Sequence, residues 1–220
     1  MRNLVKLLVV LLLTMLSAQS FAQTFGVKGG LNLSNMSSKD NDTVYSNDHK
    51  MNPGFNIGGT VEFPITGTFS FETGLLFSTK GYRINKDETV QGQTSNTKGY
   101  TTLYYFDIPL TAKASFDIGS AKIYGAFGPY LGIGLFGKSK AEFTFSGNSD
   151  TFKRDVTFGS NGLKRLDIGL SIGAGVDINA FQVGLSYGIS LANISNYTDN
   201  GFTAKNRVLG LSVGYKFIRK

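Results

Sequence analysis

Between Thr24 and Phe217 apolar residues recur at every second position, in stretches of roughly ten residues, and glycine, small polar or charged residues separate them. The clearest stretch alternates Leu166, Ile168, Leu170, Ile172, Ala174, Val176 and Ile178 with Asp167, Gly169, Ser171, Gly173, Gly175 and Asp177. A period of two over that length is a β-strand with one apolar and one polar face. Eight such segments are predicted: Thr24–Ser34, Gly54–Phe63, Phe69–Tyr82, Leu103–Phe116, Ala121–Phe136, Arg165–Ile178, Phe181–Leu191 and Asn206–Phe217. Pro64–Thr68, Asp117–Ser120 and Asn179-Ala180 join three pairs tightly. The other connections, Asn35–Pro53, Arg83–Thr102, Gly137–Lys164 and Ala192–Lys205, are long and polar. Long and short connections in strict alternation describe an up-and-down meander.

Two closed eight-strand barrels fit a meander. One puts the apolar face inside and the polar face in water; the other turns the apolar face to lipid. Glycine decides between them. Gly26, Gly30, Gly54, Gly58, Gly74, Gly128, Gly132, Gly134, Gly169, Gly173, Gly175, Gly184, Gly188, Gly210 and Gly214 lie on the polar face; the apolar face holds Gly29, Gly59, Gly81 and Gly125. A water-exposed strand face gains nothing from glycine. The interior of an eight-strand barrel is barely wide enough for side chains, so small residues belong there. The chain is therefore expected to be all-β: an eight-stranded antiparallel up-and-down transmembrane β-barrel with short periplasmic turns and long extracellular loops. Phe25, Phe63, Phe69, Phe116, Phe181, Tyr215 and Phe217 fall at the short-turn end, and Tyr82, Tyr100, Tyr104, Tyr105, Phe136 and Tyr197 at the other, as two interfacial girdles would.

The first 22 residues are of a different kind. Arg2 and Lys6 precede an apolar run from Leu7 to Leu16, and Ser17-Ala18-Gln19-Ser20-Phe21-Ala22 supplies small residues for signal peptidase. That run is too short to cross the roughly 30 Å of a bilayer core. Residues 1–22 read as a cleaved signal peptide, leaving 23–220 as a single outer-membrane barrel domain. The chain has no cysteine, so neither disulfides nor thiolate metal ligands enter the picture. Its formal net charge is +7, two of which Arg2 and Lys6 supply, and the excess is scattered, which argues against nucleic acid.

Several segments resemble one family. They are Tyr105-Phe106-Asp107-Ile108-Pro109-Leu110, Gly128-Pro129-Tyr130-Leu131-Gly132, Leu166-Asp167-Ile168-Gly169-Leu170, Gly173-Ala174-Gly175, Leu185-Ser186-Tyr187-Gly188-Ile189 and the closing Gly214-Tyr215-Lys216-Phe217. Together they resemble the PorT-like outer-membrane β-barrels over essentially the whole mature chain. The resemblance implies a barrel in the bacterial outer membrane, and a component of a protein-secretion apparatus as one possible role. The chain runs three residues past Phe217 (Ile218, Arg219, Lys220), where many barrels end on the aromatic.

Candidate chemistry is sparse. The sole histidine, His49, lies in a polar loop, no acid–base cluster surrounds it, and no enzyme or cofactor is expected. Asp40, Asp42 and Asp48 lack the spacing of a calcium loop. The polar face is more informative: it carries Lys28, Glu62, Glu72, Lys80, Asp107, Lys113, Lys122, Arg165, Asp167, Asp177 and Lys216. Lys28, Glu62, Glu72, Lys113, Asp177 and Lys216 converge toward the short-turn end, and Asp107 and Lys113 flank Pro109. Lone charges in so narrow a lumen are costly, so opposite signs are expected to pair. Such a network is either a structural plug or an ion gate. In the third long connection Lys138, Lys140, Phe143 and Phe145, then Lys153 and Arg154, alternate as strands do. The fifth and sixth strands are expected to continue there as a hairpin beyond the membrane. Its free edges would either take a partner strand or simply extend the scaffold. Outer-membrane lipid, lipopolysaccharide phosphates and an envelope protein are the expected partners.

Overall fold

The computed structural model describes residues 23–217 apart from 91–92, 146–147 and 161; the segment read as a signal peptide lies outside the described residues. Ten antiparallel strands form one sheet: β1 (Thr24–Lys39), β2 (His49–Lys50), β3 (Asn52–Pro64), β4 (Phe69–Val90), β5 (Gln93–Ile118), β6 (Ala121–Phe145), β7 (Asn148–Val156), β8 (Leu166–Ile178), β9 (Phe181–Ser190) and β10 (Thr203–Phe217). Eight of them close a ring in the order β1-β3-β4-β5-β6-β8-β9-β10, with β10 returning to β1 from Phe25↔Phe217 to Lys39↔Thr203. The remaining two are short additions at the loop end, β2 on β4 and β7 on β6.

The faces follow the alternation. Phe25, Leu31, Ile57, Leu75, Phe127, Ile172 and Leu211 are exposed on the outside, whereas Asn32, Glu72, Lys80, Lys113, Asp167 and Asp177 are buried within. Sterics agree with that assignment. A Cβ on inward Gly30 would overlap the Leu211 carbonyl, and one on Gly58 the Leu75 carbonyl; at outward Gly125 it would meet nothing within 4 Å.

The loop end departs from expectation. The second long connection is not a loop, because β4 and β5 remain paired from Arg83↔Tyr100 out to Val90↔Gln93. The expected hairpin beyond the membrane forms differently: β6 continues to Phe145, but its partner is the separate strand β7, and β8 starts only at Leu166. β4, β5, β6 and β7 thus build a four-stranded sheet beyond the barrel, with β2 at its side. Two irregularities sit at its base. A bulge at Leu135 sets Gly134 and Phe136 against consecutive Tyr105 and Tyr104, reversing the phase of β6 so that Phe136 faces outward. Gly81 in β4 has φ of 137°, a conformation other residues rarely adopt, and a Cβ there would also strike the Thr101 carbonyl.

Candidate functional site

Alternation along each strand sends one side chain in two into the lumen, where a ring this narrow forces residues from distant strands together. Near the short-turn end Lys113 pairs with Glu62 at 3.4 Å and Asp177 at 3.0 Å. Lys216 pairs with the same two acids at 2.7 and 2.6 Å, and Lys28 pairs with Glu72. Gln182 and Ser70 complete the layer, donating to Asp177 and Glu62. Three cations meet three carboxylates, and none of these pairs joins adjacent strands of the ring. Lys113 is 2% exposed, and its ammonium also lies 4.1 Å from the centre of the Tyr124 ring.

Further up, Lys80 lies between Asp107 at 2.8 Å and Asp167 at 3.0 Å. Asp167, fully buried, also accepts from Ser190 and from Asn206. The rings of Tyr105 and Tyr130 flank the Lys80 ammonium at 4.6 and 4.5 Å. Asp107 and Lys113, neighbours across Pro109 in sequence, therefore belong to different layers. Lys80 bridges two acids although only its phase marked it; its partner Asp167 lies 87 residues away. Between the layers remains a chamber of about 180 Å³, lined by Asn32, Asn56, Ser78, Tyr124, Tyr130 and Ser186 among others. It has room for several waters.

The lumen tyrosines explain many of the glycines. A Cβ on Gly175 or Gly184 would overlap the Tyr124 hydroxyl, and one on Gly169 would meet the Tyr130 ring at 2.5 Å. Tyr124 and Tyr130 carry the inward phase of β6, so their placement was readable; the glycines opposite them are their seats.

Above Lys80 the lumen turns apolar. Met36, Leu103, Tyr105, Phe158, Ile194 and Ala204 form a buried cap, with Tyr82, Val156, Leu163 and Phe202 packed on it. Tyr105 is thus a lumen residue, edge-on to Phe158 at 5.5 Å, and not part of the outer girdle. Tyr82 also turns inward to the cap and stacks on His49 at 4.0 Å. On the outer wall Phe77, Tyr104 and Phe136 stack in sequence.

The loop acids are each engaged separately. Asp40 accepts from Tyr45 and the amides of Asp42 and Thr43, contacts that hold its carboxyl below the usual range. Asp42 accepts from Asn200, and Asp48 pairs with Lys86. Of the polar-face charges, Lys122 pairs with exposed Asp117 at the short-turn rim, and Arg165 donates to the Gly134 carbonyl at the loop end.

The hairpin residues separate by face. Lys138, Lys140 and Lys153 share the side continuous with Tyr104 and Phe136, while Phe143, Phe145 and Arg154 point the other way. Among the described residues β7 pairs only with β6, and its edge is exposed along nearly its whole length.

A family model described as an outer membrane protein beta-barrel domain matches residues 18–196. Among solved structures the chain is similar to Ail, the attachment invasion locus protein of Yersinia pestis, at 19% identity over 90% of this chain and 100% of that one, with a TM-score of 0.36. It is similar to Neisserial surface protein A at 15% identity over 88% and 97% of the two chains, TM-score 0.38. The N-terminal beta-barrel domain of Pseudomonas aeruginosa OprF gives 12% identity over 86% and 97%, TM-score 0.28. Comparison with curated proteins found no match.

Proposed function

The chain belongs to the outer membrane protein beta-barrel domain family, and on that premise we propose that it is a non-conducting, non-enzymatic barrel that acts through the sheet at its loop end. Its place is the bacterial outer membrane. The observation that carries the reading is a division of labour along the axis. Two ionic layers and an apolar cap occupy the lumen, while β4 to β7 project beyond it and, among the described residues, β7 pairs with β6 alone. An exposed row of backbone donors and acceptors is the element that adds a strand from another protein. In this reading residues 1–22 are removed on export, and the loop end faces the outside. A PorT-like role in a secretion apparatus is the second form of the same reading, with an apparatus subunit as the added strand.

Two measurements test it. Purified protein in planar bilayers should give no conductance steps; reproducible openings would make it a narrow solute channel instead. A photo-crosslinking residue at Arg154, on the free edge, should give discrete adducts in intact cells, whereas one at Lys122, at the short-turn rim, should not give the same bands. Identical band patterns from the two sites would sink the edge assignment.

A further inference from the structure

One transverse row of the loop-end sheet is built against its own electrostatics. Lys50 of β2 lies directly opposite Arg83 of β4, Arg83 opposite Tyr100 of β5, Tyr100 opposite Lys140 of β6, and Lys140 opposite Lys153 of β7. Five strands thus place four cations and one tyrosine in a single line. Like charges directly opposite one another destabilise a sheet, and this row contains two such pairs, Lys50 with Arg83 and Lys140 with Lys153. At about 4.8 Å between strands the line is roughly 19 Å long. A groove of about 400 Å³ runs along it, lined by Lys50, Arg83, Lys98, Tyr100 and Lys140, with Glu142 the one acid among its lining residues. Glu142 sits 3.7 Å from Lys140 and offsets one charge only.

The row's height matters as much as its sign. Tyr100, expected in the girdle, instead lies with Lys140 four residues beyond Tyr104 and Phe136, on the same face as those girdle rings. At about 3.4 Å per residue and a tilt near 40° the row stands about 10 Å above the girdle. Aromatic girdles sit at headgroup level, so the backbone of the row stands just above that layer, and its long lysine and arginine side chains can reach down to the phosphates of an outer-leaflet glycolipid. The face is continuous with the lipid-covered wall and its charge is complementary to phosphate.

We propose that the row Lys50, Arg83, Tyr100, Lys140 and Lys153 binds the phosphate groups of lipopolysaccharide in the outer leaflet. Bound phosphates bridge the facing cations and convert their repulsion into attraction. Of the function proposed above, the inference uses only the orientation with the loop end outward. A barrel that crosslinks a partner at Arg154 yet ignores lipopolysaccharide fails this inference alone.

The test is native mass spectrometry of the purified full barrel in detergent, titrated with lipopolysaccharide. Lys50→Ala/Lys140→Ala/Lys153→Ala removes three charges of the row and keeps Arg83, whose Nε donates to Asn52 at 3.1 Å. This variant should bind about tenfold more weakly than the parent, and the parent should lose a similar factor toward enzymatically dephosphorylated lipid. The control Lys39→Ala/Lys164→Ala/Lys205→Ala carries the same net charge and should bind within twofold of the parent. Lys153→Ala alone, on the edge strand, should give a smaller loss of about threefold and serves if the triple variant fails to assemble. Equal losses in the row and control variants, or undiminished binding of the dephosphorylated lipid, overturn the proposal. So does displacement of the lipid by millimolar inorganic phosphate, which would make the row a free-phosphate site.

Discussion

Gly175→Leu should yield a chain that never closes. Its Cβ would overlap both the Val183 carbonyl on β9 and the Tyr124 hydroxyl arriving from β6. A tyrosine tip can swing aside, but a carbonyl in a paired ladder can move only by breaking the β8–β9 register. Ordinary overpacking costs about 1–3 kcal/mol, and here the remaining leucine atoms must also enter a lumen already occupied by Tyr124. Unboiled electrophoresis of refolded protein should show only the unfolded migration. Gly125→Leu and Ile172→Leu, on the lipid side, should migrate as the parent does, since no atom lies within 4 Å of the Gly125 Cβ direction and Ile172 is already exposed. Gly173→Leu should be milder, because its Cβ would lie 2.9 Å from the Leu185 carbonyl and 3.4 Å from Ser186. A heat-modifiable band for Gly175→Leu would mean that inside and outside have been exchanged.

Lys80→Met should be the most damaging change of charge. Lys80 is 2% exposed and, among the described residues, the only cation paired with Asp107 and Asp167. Its loss strands two carboxylates inside the barrel without a cation. Breaking a buried pair by deleting one partner costs about 3–5 kcal/mol. With a urea dependence of roughly 2 kcal/mol per molar, the unfolding midpoint in lipid vesicles should fall by on the order of 2 M. Adding Asp107→Asn and Asp167→Asn to Lys80→Met should recover a large part, since no uncompensated charge remains. Lys122→Ala, which breaks only an exposed pair with Asp117, should change stability by less than about 1 kcal/mol. Equal midpoints for Lys80→Met and Lys122→Ala would show that the upper layer contributes nothing to the fold.

What the sequence revealed and what it hid divide along the barrel axis. Within the bilayer one face of every strand meets lipid and the other a crowded lumen. The two environments demand different residues, so the phase of Leu166 to Ile178 is plain, and with it the inward position of Asp167 and Asp177. Beyond the bilayer both faces of a strand meet water. Arg83 to Lys86 and Thr97 to Tyr100 therefore alternate nothing, and they read as loop although they are strand. The bulge at Leu135 adds a second kind of concealment, since it exchanges the faces of β6 halfway along. The cap failed to show for a third reason: Phe158 and Ile194 reach it from irregular connections, where no period exists to place them. Lys80 could be put inside the barrel from its phase, but its pairing with Asp167 depends on a contact that crosses two intervening strands.

The ionic layer near the short turns has a bearing on how the molecule comes into being. Lys28 of β1 needs Glu72 of β4, Lys113 of β5 needs acids on β3 and β8, and Lys216 of β10 needs the same two. Each contact spans one intervening strand, roughly 9.6 Å across a flat sheet, so the pairs draw together only as the sheet curls, and Lys216 with Glu62 is the pair that also crosses the seam between β10 and β1. Four of the five pairs can therefore form while the sheet is still open, and the fifth waits for closure. Lys216 of β10 already holds Asp177 from its own side and takes Glu62 only once β10 meets β1, so the same lysine acts as a latch across the last joint of the ring.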